Sequence, residues 1–445
     1  MTRGLIAQEE PKSIWITMFI YLSIFINSFV FFKDPFEFYL GYLIFVLLLP
    51  RYISRYGFNA SLMSVFGVLF VTGIFNILIG NDTPALFFKV FTGLFLSYIF
   101  YQYVLIDYEF DIQKLFKWYM IGCYVAALIG LVQFVSFQIN FRPGYNFDWV
   151  FNKWGIAPGG VFGIRVNSVF SEPTYLASVL SAALFVSIYN LIRKETLYIS
   201  KFQSIIIVLV YFLSFSGLGQ LGIFLTIVFL TLNYGFVRYL LLIIPLVFIF
   251  FNTLYENVGE FRERYDGLVG LFQGQQFVLG KTHGSSFILF NNALVTIENF
   301  KTNFLFGSGL GSHPIAFAKY SLANEWKVFG FNNNSADANS MLLRLISETG
   351  LFGTLVFLFI VFKGYVRRDE SNESHHWIIS NALLVMILLN LFRQGHYFLN
   401  GFPFFVILYY YNYVSYTKWL AGEETDSDEG SAMEPDPATE SSRPV

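Results

Sequence analysis

Residues 165–192 read RVNSVFSEPTYLASVLSAALFVSIYNLI, and the second half of that stretch decides the fold. From Thr174 to Ile192 no side chain carries a charge. The run matches the ~17–25 apolar residues that a helix needs to cross the hydrocarbon of a bilayer. Its start is marked by Glu172-Pro173, since a residue before proline is pushed away from helical geometry while proline suits the first helical turn. Glu172 therefore takes the N-cap position, where its carboxylate meets the positive end of the helix dipole. A cation, Arg165, stands just ahead of it.

The rest of the chain repeats the pattern. More than half of its 445 residues are apolar (55%) and only 13% are charged, against roughly a quarter charged in soluble domains. Apolar segments near residues 13–32, 38–51, 62–80, 85–106, 117–138, 174–192, 203–215, 218–234, 239–254, 341–362, 377–393 and 398–417 predict an all-α polytopic membrane protein of about twelve transmembrane helices. Nothing reads as a cleavable leader ahead of a soluble domain. Residues 1–12 precede the first span, 13–420 form the membrane domain, and 421–445 form an acidic tail. That tail carries eight acids and one arginine, a net −7 within an overall charge of −2. It has too little apolar surface to offset its ordering entropy, so disorder is expected.

Orientation follows from lysine and arginine in the short connections. With the N-terminus inside, residues such as Arg51, Arg55, Lys114, Arg193, Lys194 and Arg367 fall on the cytoplasmic side. The short outer connections then keep only Lys33 and the boundary residue Arg393, and both termini lie in the cytoplasm. Two outer connections are long, 139–173 and 255–340. Long connections are usually functional, so activity is expected there. Part of the second, NNALVTIENFKTNFLF (291–306), has apolar residues at helical spacing and is expected to lie as an amphipathic helix on the membrane.

Polar candidates gather on that outer side. FLFGSGLGSHPIAF (304–317) alternates Gly307, Gly309 and Gly311 in the manner of a phosphate cradle. It lacks the lysine and the strand–helix setting of a P-loop, and a surface turn is the plainer alternative. NNNSADANSMLLRLISETGLFG (332–353) opens the tenth span, with Asn339 or Ser340 placed to cap it. Arg344 and Glu348 share a helix face there, in the less favourable order for a pair along one helix. LFRQGHYF (391–398) sets Arg393 and His396 a turn apart, beside Tyr397. Ionisable groups at membrane depth are expensive and usually face a cavity or a site. Cys123, the one cysteine, reads as a packing residue, and His283, His313, His375 and His376 have no ligand spacing. No metal or cofactor is expected, and nothing points to nucleic acid.

In order along the chain, RVNSVFSEPTYLA, FGSGLGS, DANSMLLRLISETGLFG and FRQGHYF resemble segments of the bacterial O-antigen and exopolysaccharide polymerases (Wzy-type), relatives of the O-antigen ligases. The resemblance covers most of residues 13–417. It implies a fold similar to the membrane glycosyltransferases that use polyprenyl carriers (GT-C-like), with a long periplasmic loop, in the cytoplasmic (inner) membrane. It also implies an activity, transfer of a glycan from undecaprenyl pyrophosphate to a lipid-linked repeat unit at the periplasmic face, and a chain-length regulator as protein partner. Carried onto this chain, Arg165, Arg344 and Arg393 hold the leaving pyrophosphate. Tyr175, Tyr397, Asn339, Gly309 and Gly311 bind substrate. The base is Glu172 or His396, with Asp337 as an outsider. Ala338-Asn339 stands where the ligases look to carry His-Asn, which favours a polymerase over a ligase. A flippase is the further alternative.

Overall fold

The computed structural model describes residues 14–32, 37–57, 60–235, 245, 248–249, 251–253, 255–257, 259–275, 284–326, 333–368 and 375–431. The expected ninth span, 239–254, falls largely outside these residues, as does His283. In chain order the helices are α1 (Ile14–Phe25), α2 (Leu40–Tyr56), α3 (Ala60–Leu78), α4 (Pro84–Asp107), α5 (Ile112–Gln138), α6 (Arg142–Tyr145), α7 (Pro173–Ile192), α8 (Lys201–Leu213) and α9 (Gly217–Asn233). There follow α10 (Gly259–Phe272), α11 (Gly284–Thr302), α12 (His313–Tyr320), α13 (Leu322–Glu325), α14 (Met341–Lys363), α15 (His376–Arg393) and α16 (Phe402–Ser431). Strand among the described residues is confined to a small hairpin, β1 (Ala157–Pro158) against β2 (Ile164–Arg165), and the isolated bridge of Val30 with Tyr39.

Among the described residues five helices, α4, α5, α7, α14 and α15, are long and apolar enough to cross a membrane. Their burial differs: 72% and 83% of the apolar windows of α7 and α15 are enclosed, against 33–39% in the other three. α7 and α15 are therefore the centre and the others the rim. Small residues of α7 (Ala177, Ser178, Ser181, Ala182, Ala183) permit close approach, as in membrane interfaces generally. Between α7 and α15 the Asn390 side chain donates to Ser178 Oγ at 3.2 Å. At one end of the bundle the basic connections collect. There Arg55 pairs with Asp107 at 3.5 Å, the Arg368 N–H donates to Asn233, and Asn233 donates to Asn381. At the opposite end loop 139–172 folds back over α1, α5 and α8.

That loop is pinned by buried amides. Gln133 of α5 accepts from the N–H groups of Asn167 (3.2 Å) and Ser168 (2.8 Å) and donates to Asn167 Oδ1. Val166 N–H bonds the Leu213 carbonyl, and Trp154 Nε1 donates to the Ser168 carbonyl. The polar run ahead of α7 is thus a clamp that sets β2, and Arg165 with it.

α14 is broken at Gly350, whose φ of 63° and ψ of −159° lie outside helical geometry. Backbone groups freed by a break at membrane depth must be bonded within the protein. The glycine-rich segment does this: Leu351 and Phe352 N–H donate to the carbonyls of Phe304 and Leu305, while Ser308 and Gly309 N–H donate to those of Ser347 and Glu348. A Cβ on Gly350 would lie 2.4 Å from the Gly307 nitrogen.

Three expectations change here. Gly309 and Gly311 do not form an open cradle: both are buried, and the Gly309 amide is already engaged by the helix break. The helix expected around 291–302 exists as part of α11, but its buried face, with Asn291, Asn292, Val295, Thr296 and Asn299, packs on protein. Thr296 and Asn299 bond the Leu343 and Ser347 carbonyls of α14. α16 runs to Ser431, into the stretch expected to be disordered, as extension of an existing helix costs far less than starting one.

Candidate active site at one end of the bundle

The centre of this end is a buried ionic frame. Arg344 is 4% exposed and Glu348 1%. Arg344 Nε donates to Glu348 Oε1 at 2.8 Å and Nη1 to the Gly395 carbonyl at 2.8 Å. Tyr397 donates to Glu348 Oε2 at 3.0 Å, and the guanidinium lies 4.4 Å from the centroid of the Tyr397 ring. Each charge is matched, which a buried pair requires. Arg344, expected to touch substrate, is instead an internal tie that fixes Gly395, and Tyr397 is its cover.

Gly395 in turn fixes the next pair. A Cβ on residue 395 would fall 1.7 Å from the Asp337 carbonyl oxygen, so only glycine lets the two loops approach. They meet as His396 Nε2 and Asp337 Oδ2, 2.9 Å apart. Asp337 Oδ1 accepts the Asn339 N–H at 3.0 Å. Burial works to raise the Asp337 carboxyl, but His396 and the Asn339 amide outweigh it and hold the group well below the usual range. The His396 side chain is 28% exposed. It is a half-open imidazole steered by a buried carboxylate. Asn339 serves this turn through its backbone, at a φ of 54°, and Ser340 rather than Asn339 caps α14 by accepting from Leu343 N–H at 3.3 Å.

A second cluster borders the first. Lys153 Nζ donates to Glu37 Oε2 and, at 2.7 Å, to the Tyr39 hydroxyl. Burial opposes ionisation of Glu37, yet Lys153 and Tyr39, with His396 adding its charge, lower its pKa. Tyr175 lies within the electrostatic reach of Glu172, Asp337 and Glu37. Sequence reasoning missed Glu37, Tyr39 and Lys153, because nothing in KDPFEFY or FNKWG sets them apart from ordinary interfacial residues. Only the folding of loop 139–172 onto the α1–α2 connection brings them together.

Of the remaining expected residues, Arg165 is half-buried in β2 opposite Ala157, its stem passing 3.5 Å from the Cβ position of Gly159. Arg393 is the last residue of α15, also half-buried, and leads directly into the His396 loop. Glu172 occupies the N-cap position as expected, but its side chain makes no cap hydrogen bond and is exposed.

The frame is backed by a neutral histidine. His313 Nε2 lies 3.0 Å from Asn292 Oδ1, and the Asn292 amide nitrogen is occupied by two carbonyls. Nε2 is therefore the donor, and Nδ1 accepts from Ser347 Oγ at 3.2 Å. Burial, then the charge of Arg344, pushes His313 down to about 3.

Fold and composition together are those of a mostly helical membrane protein. No protein-family model matches the chain, and no curated protein sequence matches it.

Proposed function

We propose that this chain is a polysaccharide polymerase, a glycosyltransferase that moves a growing glycan from undecaprenyl pyrophosphate to a lipid-linked repeat unit. The observation that carries the reading is the His396–Asp337 pair, 2.9 Å apart, with the carboxylate nearly buried and the imidazole half-open. A histidine oriented by a buried carboxylate is suited to general-base work near neutral pH. His396 takes the proton of the acceptor hydroxyl as its oxygen bonds the anomeric carbon. The bond from that carbon to the pyrophosphate oxygen breaks, its electron pair leaves with the pyrophosphate, and configuration inverts. Arg165 and Arg393 stabilise the negative charge that develops, through charge-assisted hydrogen bonds.

In this reading His396 is the base and Glu172 is not, since Glu172 is exposed and makes no cap hydrogen bond that would orient it. Arg344 and Tyr397 hold the frame, and Tyr175 borders the acceptor. The proposed topology has twelve spans in the bacterial inner membrane, in a GT-C-like arrangement. The basic end is cytoplasmic, as lysine and arginine bias dictates, and the site opens to the periplasm. A chain-length regulator is the expected protein partner. Among the described residues the break in α14 favours the transporter alternative. It is closed by the 304–309 segment, which suits a fixed site better than a moving gate.

The test compares lipid-linked and surface glycan from the native organism, a strain lacking this gene, and that strain carrying Arg165→Ala. Glycan limited to one repeat in the deletion and in the variant, with the variant present at normal amount in the membrane, supports the polymerase. Long polymer stranded on its lipid carrier points to a ligase. An unchanged length distribution removes both readings.

A further inference from the structure

The transfer step above leaves the Glu37–Lys153–Tyr39 cluster unused, although the fold holds it firmly. Lys153 N–H donates to the Ser28 carbonyl at 3.0 Å. Its neighbour Asn152 bonds both the N–H (2.9 Å) and the carbonyl (2.5 Å) of Val30, and Trp154 is tied to Ser168. The lysine therefore emerges from a rigid strip, and it is half-open: Lys153 and Glu37 side chains are 35% and 38% exposed.

An ion pair so exposed contributes little to stability. Its rigid mounting is better explained by a ligand. Two of the three ammonium donors are occupied, one by a tyrosine and one by the carboxylate, and a phosphate offers more oxygens than a carboxylate at higher charge. The cluster also sits beside the reacting groups, because Glu37 lies within electrostatic reach of His396 and of Tyr175.

Joining two lipid-linked sugars brings two diphosphates to one site, and only one of them departs. Arg165 and Arg393 serve the departing one. We infer that Lys153, with the Tyr39 hydroxyl, forms a second subsite that takes the diphosphate of the lipid-linked acceptor, Glu37 holding the lysine in place while the subsite is empty. This inference rests on the transferase reading.

Farnesyl diphosphate, an unreactive probe that carries a diphosphate on a short prenyl chain, tests it by titration into the purified full chain in phosphatidylcholine nanodiscs. Two sites per chain are expected. Arg165→Ala removes one, and Lys153→Met weakens the other about tenfold or more, while Lys153→Arg keeps both. Survival of the Arg165-dependent site in Lys153→Met shows that the variant is folded. Two undiminished sites in Lys153→Met, or a single Arg165-dependent site in the unmodified protein, overturns the inference and leaves the transferase reading standing. No binding at either site overturns both. A parallel titration in discs containing phosphatidylglycerol separates substrate from ordinary headgroup: competition confined to the Lys153-dependent site marks it as a phospholipid anchor and overturns the inference.

Discussion

His396 Nε2 lies 2.9 Å from Asp337 Oδ2, joining the loop after α15 to the turn before α14. If His396 is the base, His396→Ala lowers the rate of glycan extension by about 10²–10⁴-fold, the usual worth of general-base help. Asp337→Asn acts in the same direction by removing the carboxylate that orients the ring. Extension measured in membranes containing equal amounts of each protein decides the point; a His396→Ala variant that extends glycan at the normal rate removes this residue from the chemistry.

Arg344 is expected to matter to folding before it matters to catalysis. Replacing it with methionine leaves Glu348 buried and uncompensated, which costs about 3–5 kcal/mol. The variant should be depleted from the membrane, and Arg344→Met combined with Glu348→Leu should restore much of the amount. Normal abundance of the single variant, with activity lost, would return Arg344 to the substrate.

The break in α14 gives a stability prediction. A left-handed conformation costs a residue with a Cβ about 1–2 kcal/mol, and at position 350 that Cβ also collides with the Gly307 backbone. Gly350→Ala should therefore lower the thermal midpoint of the detergent-solubilised protein, whereas Gly155→Ala, with open space around its Cβ position, should leave it unchanged. Equal midpoints would mean that the chain tolerates an unbroken α14.

Asp82, in the α3–α4 connection, sets a pH dependence. Burial first, and the charge of Glu348 in addition, push its carboxyl from 3.8 up to about 7, against the opposing Thr83 N–H. Its folded value thus exceeds its unfolded one. The stability it contributes is fully present below about pH 4 and is lost as pH rises through about 7. Between pH 5 and 8 the thermal midpoint should fall in the unmodified protein and fall less in Asp82→Asn. The same slope in both would show that another group titrates.

The class of the fold and the starts of its helices follow from local composition. Runs such as 174–192 have one low-energy solution in a bilayer, a helix, because every backbone group must be bonded where there is no water. Proline and small polar residues then mark where helices start, as Glu172-Pro173 does for α7 and Ser340 for α14. That Arg344 and Glu348 share a helix face was legible for the same reason, but their pairing was not, since the order of the two residues argued against it.

Tertiary structure decided what no local rule reaches. Alternating glycines look alike whether they cradle a phosphate or fill a break in a neighbouring helix, and only the meeting of residues 304–309 with Gly350 assigns them to the break. The choice of Asp337 as partner of His396, and the gathering of Glu37, Tyr39 and Lys153, depend on contacts between segments far apart in the chain. Such contacts are set by how helices pack and loops fold back, since a charged group gains most from whichever opposite charge the packing brings within reach.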